Sequence, residues 1–201
     1  IAMKDVSVVF LDRDGTINVD VGHLRMPSEL VLIRGAATAI SLLKKAGYVL
    51  LVVSNQSAVA RGMCSEEDVK VVNQTLLNML LREHPEARLD DFFFCPHHPE
   101  DNCNCRKPRT GMAEQARTKW NFISHNCWVI GDHVSDLEFG KAIGIPTKQR
   151  ILLETGHGAS QYERRVELSS SANPQEALHI IYKKDLLDAV KFLLTQKRNV
   201  R

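Results

Sequence analysis

The chain has 201 residues, 44% of them hydrophobic and 25% charged, the composition of a folded protein with a buried core. Lys and Arg number 26 against 24 Asp and Glu, a formal net charge of +2 with no basic stripe, so a nucleic-acid partner is not expected. No apolar run approaches a membrane span, and the opening residues lack the apolar h-region of a signal peptide; Met3 reads as the natural start, and a cytoplasmic protein is expected.

The elements follow in chain order. Val6–Leu11 and Val49–Val53 are nearly continuous apolar, β-branched runs, the pattern of strands buried on both faces of a parallel sheet. Between them, Ala36–Ala46 has apolar residues at helical spacing and stops at Gly47, leaving Asp12–Arg34 as an insertion after the first strand. Ser65 reads as the N-cap of a helix reaching Arg82, with Asp68 three residues on completing a capping-box pattern. A short strand, Asp91–Phe94, leads into a cysteine-rich loop. A helix over Gly111–Trp120, a strand over Cys127–Ile130, a helix over Asp136–Ile143 and a last strand over Lys148–Leu153 complete the alternation. Leu168–Pro174 reads as a loop, and Asp185–Gln196 as an amphipathic helix with Leu186, Val190 and Leu193 inward. The pattern predicts one α/β domain over 1–201, a Rossmann-like parallel sheet flanked by helices. Its core would span about 5–157, and residues 161–201 would form an extension of unknown role.

In such sheets ligands sit beyond the carboxyl ends of the strands. Behind the successive strands stand Asp12-Arg13-Asp14-Gly15-Thr16, then Ser54-Asn55-Gln56-Ser57, then Arg106-Lys107-Pro108, then Gly131-Asp132-His133-Val134-Ser135-Asp136. A strand-end carboxylate such as Asp12 can attack phosphorus and form an aspartyl phosphate. Asp14, two residues on, points to the same side and can protonate the leaving oxygen, then deprotonate water. Ser54 and Lys107 offer a hydroxyl and a fixed positive charge to the transferring group. Asp132 and Asp12 are hard oxygen ligands suited to Mg²⁺.

Five cysteines make an odd number, and three of them crowd into one stretch: Cys95-Pro96-His97 and Cys103-Asn104-Cys105. In each pair the residues at i and i+2 share a face, so the two pairs can pinch one ion. Three thiolates and one imidazole make a closed tetrahedral zinc site, which would stiffen the loop that delivers Arg106 and Lys107. His98 competes with His97, but His97 keeps the two pairs symmetric. A Cys103–Cys105 disulfide is the alternative, strained at that spacing.

The four clusters in order resemble the motifs of the haloacid dehalogenase (HAD) superfamily, over about residues 5 to 157. The resemblance implies the aspartyl-phosphate mechanism, Mg²⁺ held by Asp12, Asp132 and the Asp14 backbone carbonyl, and Asp136 supporting the metal from behind. The string from Cys95 to Pro108, with Ile17-Asn18-Val19-Asp20 and Asn55-Gln56-Ser57…Ala60-Arg61-Gly62, is similar to the D-glycero-D-manno-heptose 1,7-bisphosphate phosphatases, a group near the histidinol-phosphate phosphatases. It implies a small phosphorylated sugar contacted by Arg13, Asp20, Gly22, His23, Asn55, Gln56, Ser57, Arg61 and His133, with Arg106 reading a second phosphate. The cysteine loop is shorter than in many members. His23 stands where tyrosine is common, Ala58 for glycine, Thr110 for proline and His133 for lysine; these changes surround the substrate and leave the nucleophile untouched. The insertions are too short for a large cap, and a monomer or weak homo-oligomer is expected. Histidinol phosphate is the nearest rival substrate; a polynucleotide 3′-phosphatase and a non-catalytic zinc-stabilised module are more distant ones.

Overall fold

The computed structural model describes residues 5–164 and 180–198. Six parallel strands, β1 (Val8–Leu11), β2 (Val49–Asn55), β3 (Asp91–Cys95), β4 (Trp128–Gly131), β5 (Arg150–Leu153) and β6 (Ile181–Lys183), form one sheet in the order β3-β2-β1-β4-β5-β6. The helices are α1 (Ala36–Lys45), α2 (Glu66–Glu83), α3 (Gly111–Arg117), α4 (Val134–Ala142), α5 (residues 158–164) and α6 (Leu186–Arg198).

The continuous apolar runs are explained by two separate cores, one on each face of the sheet. Val9 and Leu11 of β1, with Leu50, Val52, Ile130 and Ile151, face α1, α2 and α6 through Ile40, Leu43, Leu76, Leu80, Val190 and Leu193. Their neighbours Val8 and Phe10, with Leu51, Val53 and Val129, face α3 and α4 through Met112, Ala116 and Phe139. Successive strand side chains alternate between faces, so a strand covered on both sides must be apolar at every position.

Several boundaries move for local reasons. β2 continues through Ser54 and Asn55, which pair with Phe94 and Cys95 of β3, so two polar residues end a buried strand at the sheet's carboxyl edge. The expected strand from Lys148 begins only at Arg150. Thr147–Gln149 is a 3-10 turn, tied down by Gln149 Nε2 donating to the carbonyls of His125 (2.8 Å) and Cys127 (2.7 Å). α3 stops at Arg117, short of Trp120, and α4 starts two residues early, at Val134, because His133 caps it. The Ser65–Asp68 capping box is present on α2, with Asp68 N–H donating to Ser65 Oγ (3.1 Å) and Ser65 N–H to Asp68 Oδ2 (2.8 Å).

The largest correction lies beyond residue 157. β5 is not the last strand: β6 adds beside it in parallel, Ile151 against Ile181 and Leu153 against Lys183. α6 then folds back, with Leu186, Val190 and Leu193 fully buried, as their spacing predicts. β6 and α6 therefore belong to the sheet and the layer that covers it. A three-residue strand carries too little periodicity to be read from sequence. The loop expected at Leu168–Pro174 lies outside the described residues.

The insertion after β1 forms a small flap. Backbone bridges join Asn18 to Asp14 and Leu32, a 3-10 turn covers Pro27–Glu29, and Ile17, Leu24 and Leu30 are buried beneath it.

Candidate active site

The ends of β1, β2 and β4 and the stretch after β3 meet in a crevice of about 210 Å³, lined by Asp12, Asp14, Ser54, Lys107, Asp132 and Asp136 among others. Lys107 stands at its centre, 4% exposed. Its ammonium donates to Asp12 Oδ1 (2.9 Å), Asp136 Oδ1 (2.6 Å) and the Val53 carbonyl (2.6 Å), which satisfies all three N–H bonds. Burial pushes its pKa down, but Asp12 and Asp136 outweigh that and hold it above the ordinary lysine value.

Asp12, Asp132 and Asp136 bring carboxylate oxygens within 4.8 Å of one another. Burial, relieved in part by Lys107, raises Asp12 to about 6, and burial with the charges of Asp12 and Asp136 raises Asp132 to about 9. One lysine does not neutralise three carboxylates, so the donor set suits a hard divalent cation. Asp136 has both oxygens engaged, one by Lys107 and the other by His133 N–H (3.0 Å), leaving Asp12 and Asp132 as the freer ligands. Asp132 lies between two glycines: a Cβ on Gly15 or Gly156, both at positive φ, would overlap its carboxylate.

Asp14 accepts four hydrogen bonds: from Arg13 Nε (3.3 Å) and Nη2 (2.9 Å), Asn18 Nδ2 (2.8 Å) and Gln56 Nε2 (2.8 Å). Burial pushes its carboxyl up, but the Arg13 guanidinium and these bonds hold it below the usual range. Gln56 also donates to Ser54 Oγ (2.6 Å), linking the ends of β1 and β2. Asn55 clamps the Lys107 backbone from both sides, accepting from its N–H (3.0 Å) and donating to its carbonyl (3.3 Å).

The expected substrate contacts divide. Asp20, Gly22, Asn55, Arg106 and His133 line the crevice. Arg106 Nη1 is buried and without a hydrogen-bond partner, a guanidinium edge suited to an anion. His133 lines the crevice, but its Nδ1 accepts from Ser135 N–H (3.2 Å) as the α4 cap, and burial lowers its pKa. Gln56 lies behind the wall. His23, Ser57 and Arg61 fall outside the lining, with His23 and Arg61 exposed. Arg13 is the clearest correction. Standing between two strand-end aspartates, it points to the opposite side and is 1% exposed beneath Asp14, away from the crevice.

Sequence reasoning missed His157. Its N–H donates to Asp132 Oδ2 (2.8 Å), its Nε2 lies 2.9 Å from Asp20 Oδ2, and Thr155 Oγ1 donates to the Gly15 carbonyl (2.6 Å). The turn after β5 is thus stitched to the loop after β1. The strand-end rule that found the other clusters applies equally to Thr155-Gly156-His157.

Beside the crevice, Cys95, His97, Cys103 and Cys105 also converge within 4.8 Å. Sγ of Cys95 is 3.5 Å from His97 Nδ1 and 3.5 Å from Cys103 Sγ; Cys105 Sγ is 3.2 Å from His97 Nδ1 and 3.7 Å from Cys103 Sγ. Zn–S bonds of about 2.3 Å give tetrahedral edges of about 3.8 Å, near these spacings. The sulfurs are too far apart for a disulfide. His98 is not in this cluster; its Nδ1 instead accepts from the Glu100 N–H (3.5 Å).

Residues 104–180 match the HAD-hydrolase-like family model. D-glycero-beta-D-manno-heptose-1,7-bisphosphate 7-phosphatase of Rhodopseudomonas palustris is 42% identical over 144 residues, 68% of this chain and 79% of the relative. The Haemophilus ducreyi protein of the same name is 35% identical over 167 residues, 80% of this chain and 90% of the relative. The chain belongs to the heptose-bisphosphate phosphatase family of the HAD superfamily. Among solved structures, D,D-heptose 1,7-bisphosphate phosphatase from B. bronchiseptica, complexed with magnesium and phosphate, superposes with a TM-score of 0.79. It is 26% identical, and the match covers 94% of this chain and 99% of that one. Its near-complete coverage extends the family likeness past residue 157, where the sheet takes up β6.

Proposed function

We propose that this chain is a Mg²⁺-dependent phosphatase that hydrolyses the 7-phosphate of D-glycero-D-manno-heptose 1,7-bisphosphate through an aspartyl phosphate on Asp12. The observation that carries the chemistry is the convergence of Asp12, Asp132 and Asp136 at the strand ends, with the Lys107 ammonium bonded to Asp12 and Asp136 and Asp14 beside them. Asp12 attacks phosphorus as the bond to the sugar oxygen breaks, and Asp14 protonates that oxygen. Asp14 then takes a proton from water, which attacks the aspartyl phosphate and frees Asp12. Lys107 and Ser54 hold the phosphoryl oxygens. Asp12, Asp132 and the Asp14 carbonyl would hold Mg²⁺, which would supply positive charge to the transferring group. Cys95, His97, Cys103 and Cys105 would hold a structural zinc.

The sugar is carried over from the named relatives and supported by Arg106, whose unpartnered Nη1 suits a second phosphate. The test is phosphate release with Mg²⁺ from both anomers of the heptose bisphosphate, histidinol phosphate and a 3′-phosphorylated oligonucleotide. A preference of about a hundredfold, roughly 3 kcal/mol, for one heptose anomer supports this reading. A preference for histidinol phosphate, or flat activity across the panel, overturns the sugar assignment.

A further inference from the structure

Arg13 is the largest fully buried side chain in the described protein, and the chemistry above gives it no contact with the phosphoryl group or the metal. A buried guanidinium needs partners for its nitrogens. Two of them form a fork on Asp14, Nη2 at 2.9 Å from Oδ2 and Nε at 3.3 Å from Oδ1. A third, Nη1, donates to Asn73 Oδ1 at 2.9 Å. Asn73 sits on the buried stripe of α2 with Val69, Val72, Leu76 and Leu80, and is itself 6% exposed. An amide in that apolar stripe has one evident use, to accept from Arg13.

We propose that Asn73 and Arg13 are positioning residues: Asn73 holds the guanidinium, and the guanidinium fixes the plane of the Asp14 carboxyl, the group that serves as acid and base in the chemistry above. A fork that meets both oxygens prevents rotation of the carboxyl plane, which a single hydrogen bond would allow. Asn18 and Gln56 bracket the same oxygens from the flap and from the turn after β2, so Asp14 is held from three sides at once. Without Asn73, Nη1 is left buried and unpartnered, and the guanidinium turns to find another acceptor. The Asp14 proton goes to the sugar oxygen as the Asp12–phosphorus bond forms and the phosphorus–sugar bond breaks. The proton is regained from the attacking water, so each turnover restores it.

The relay matters only if Asp14 is the acid–base group proposed above, and the experiment separates the two. In the Mg²⁺-loaded full chain, kcat/KM is measured for a sugar phosphate and for p-nitrophenyl phosphate, whose leaving group needs no proton. This constant reports the steps through transfer to Asp12 and not the later hydrolysis. Asn73→Leu loses about ten- to a hundredfold on the sugar phosphate and stays within about threefold of the parent on the aryl phosphate. Asn73→Asp, which restores the acceptor, regains most of the loss. Arg13→Lys keeps a buried cation but removes the fork and reproduces the Asn73→Leu pattern, which decides the matter if Asn73→Leu does not fold. Equal losses on both substrates, or none on either, mean that Asn73 and Arg13 serve only the fold. The control is Asp14→Asn: if it discriminates between the substrates and the other variants do not, the relay alone fails. If Asp14→Asn does not discriminate, the acid–base role of Asp14 falls first.

Discussion

Around Lys107 the side chains are arranged by charge, and each carries a distinct expectation. Asp12 gives one oxygen to the ammonium at 2.9 Å and keeps its other oxygen free of any hydrogen bond in the described structure. Asp12→Asn keeps the shape but removes the nucleophile, so turnover falls by about 10⁴-fold or more while the circular dichroism spectrum and melting temperature hold. Residual hydrolysis close to the parent rate would rule out a covalent step at this position. Arg106 is a different case, a guanidinium with one buried edge unsatisfied. Arg106→Ala is expected to cost the bisphosphate about ten- to a hundredfold in kcat/KM, the range of a lost charge-assisted pair, and a monophosphate only a few-fold. Equal losses on both would mean that Arg106 shapes the wall without reading a second phosphate.

At the scale of elements, the cysteine loop joins the end of β3 to the catalytic lysine. Its first residue, Cys95, pairs with Asn55 in the sheet, and its carbonyl accepts from Gln56 N–H at 2.7 Å. Its last, Cys105, is two residues from Lys107, whose backbone Asn55 clamps. An ion held by Cys95, His97, Cys103 and Cys105 would therefore set the position of Lys107 relative to β2. Protein purified without chelators should contain one zinc per chain by elemental analysis. Cys103→Ser should lose it, melt earlier, and drop about tenfold or more in kcat/KM with unchanged Mg²⁺ dependence. Metal-free wild-type protein of full activity would remove zinc from the account. The motif-bearing loops were legible because their chemistry is local: Cys95-x-His97 and Cys103-x-Cys105 share faces by strand geometry, and the aspartates follow apolar runs. Arg13 was misread because facing, not identity, decides its role, and the burial that makes it a support comes from α2, some sixty residues away in sequence. His157 was legible by the same strand-end rule, yet its signal is a single histidine among glycines, and its importance comes from contacts with Asp132 and Asp20 that no local pattern encodes.

For the whole molecule, the sequence pointed to the parallel sheet and both of its faces but not to where the sheet ends. The first five strands carry enough apolar residues to be read, whereas β6 is only three residues long, Ile181-Tyr182-Lys183, all partly buried. What makes the C-terminal segment integral is α6. Leu186, Ala189, Val190 and Leu193 are fully buried in the same core as β1 and α1, and Phe192 meets Trp128 of β4 edge-to-face at 6.5 Å. We read the described residues as one folding unit on this ground. Burial of three such large aliphatic side chains contributes about 1.5–3 kcal/mol each, a sum comparable with the net stability of about 5–15 kcal/mol of an ordinary domain. A chain ending at residue 164 also leaves the β5 edge without its neighbour. Such a chain should therefore unfold or aggregate at room temperature. In the full chain, Leu193→Ala leaves a cavity worth about 2–5 kcal/mol and should lower the melting temperature by about 5–15 °C. KM should stay unchanged, because Leu193 is absent from the crevice lining. If the chain ending at residue 164 instead melted with the parent and turned over substrate, α6 and β6 would be an accessory layer on a core already complete at β5.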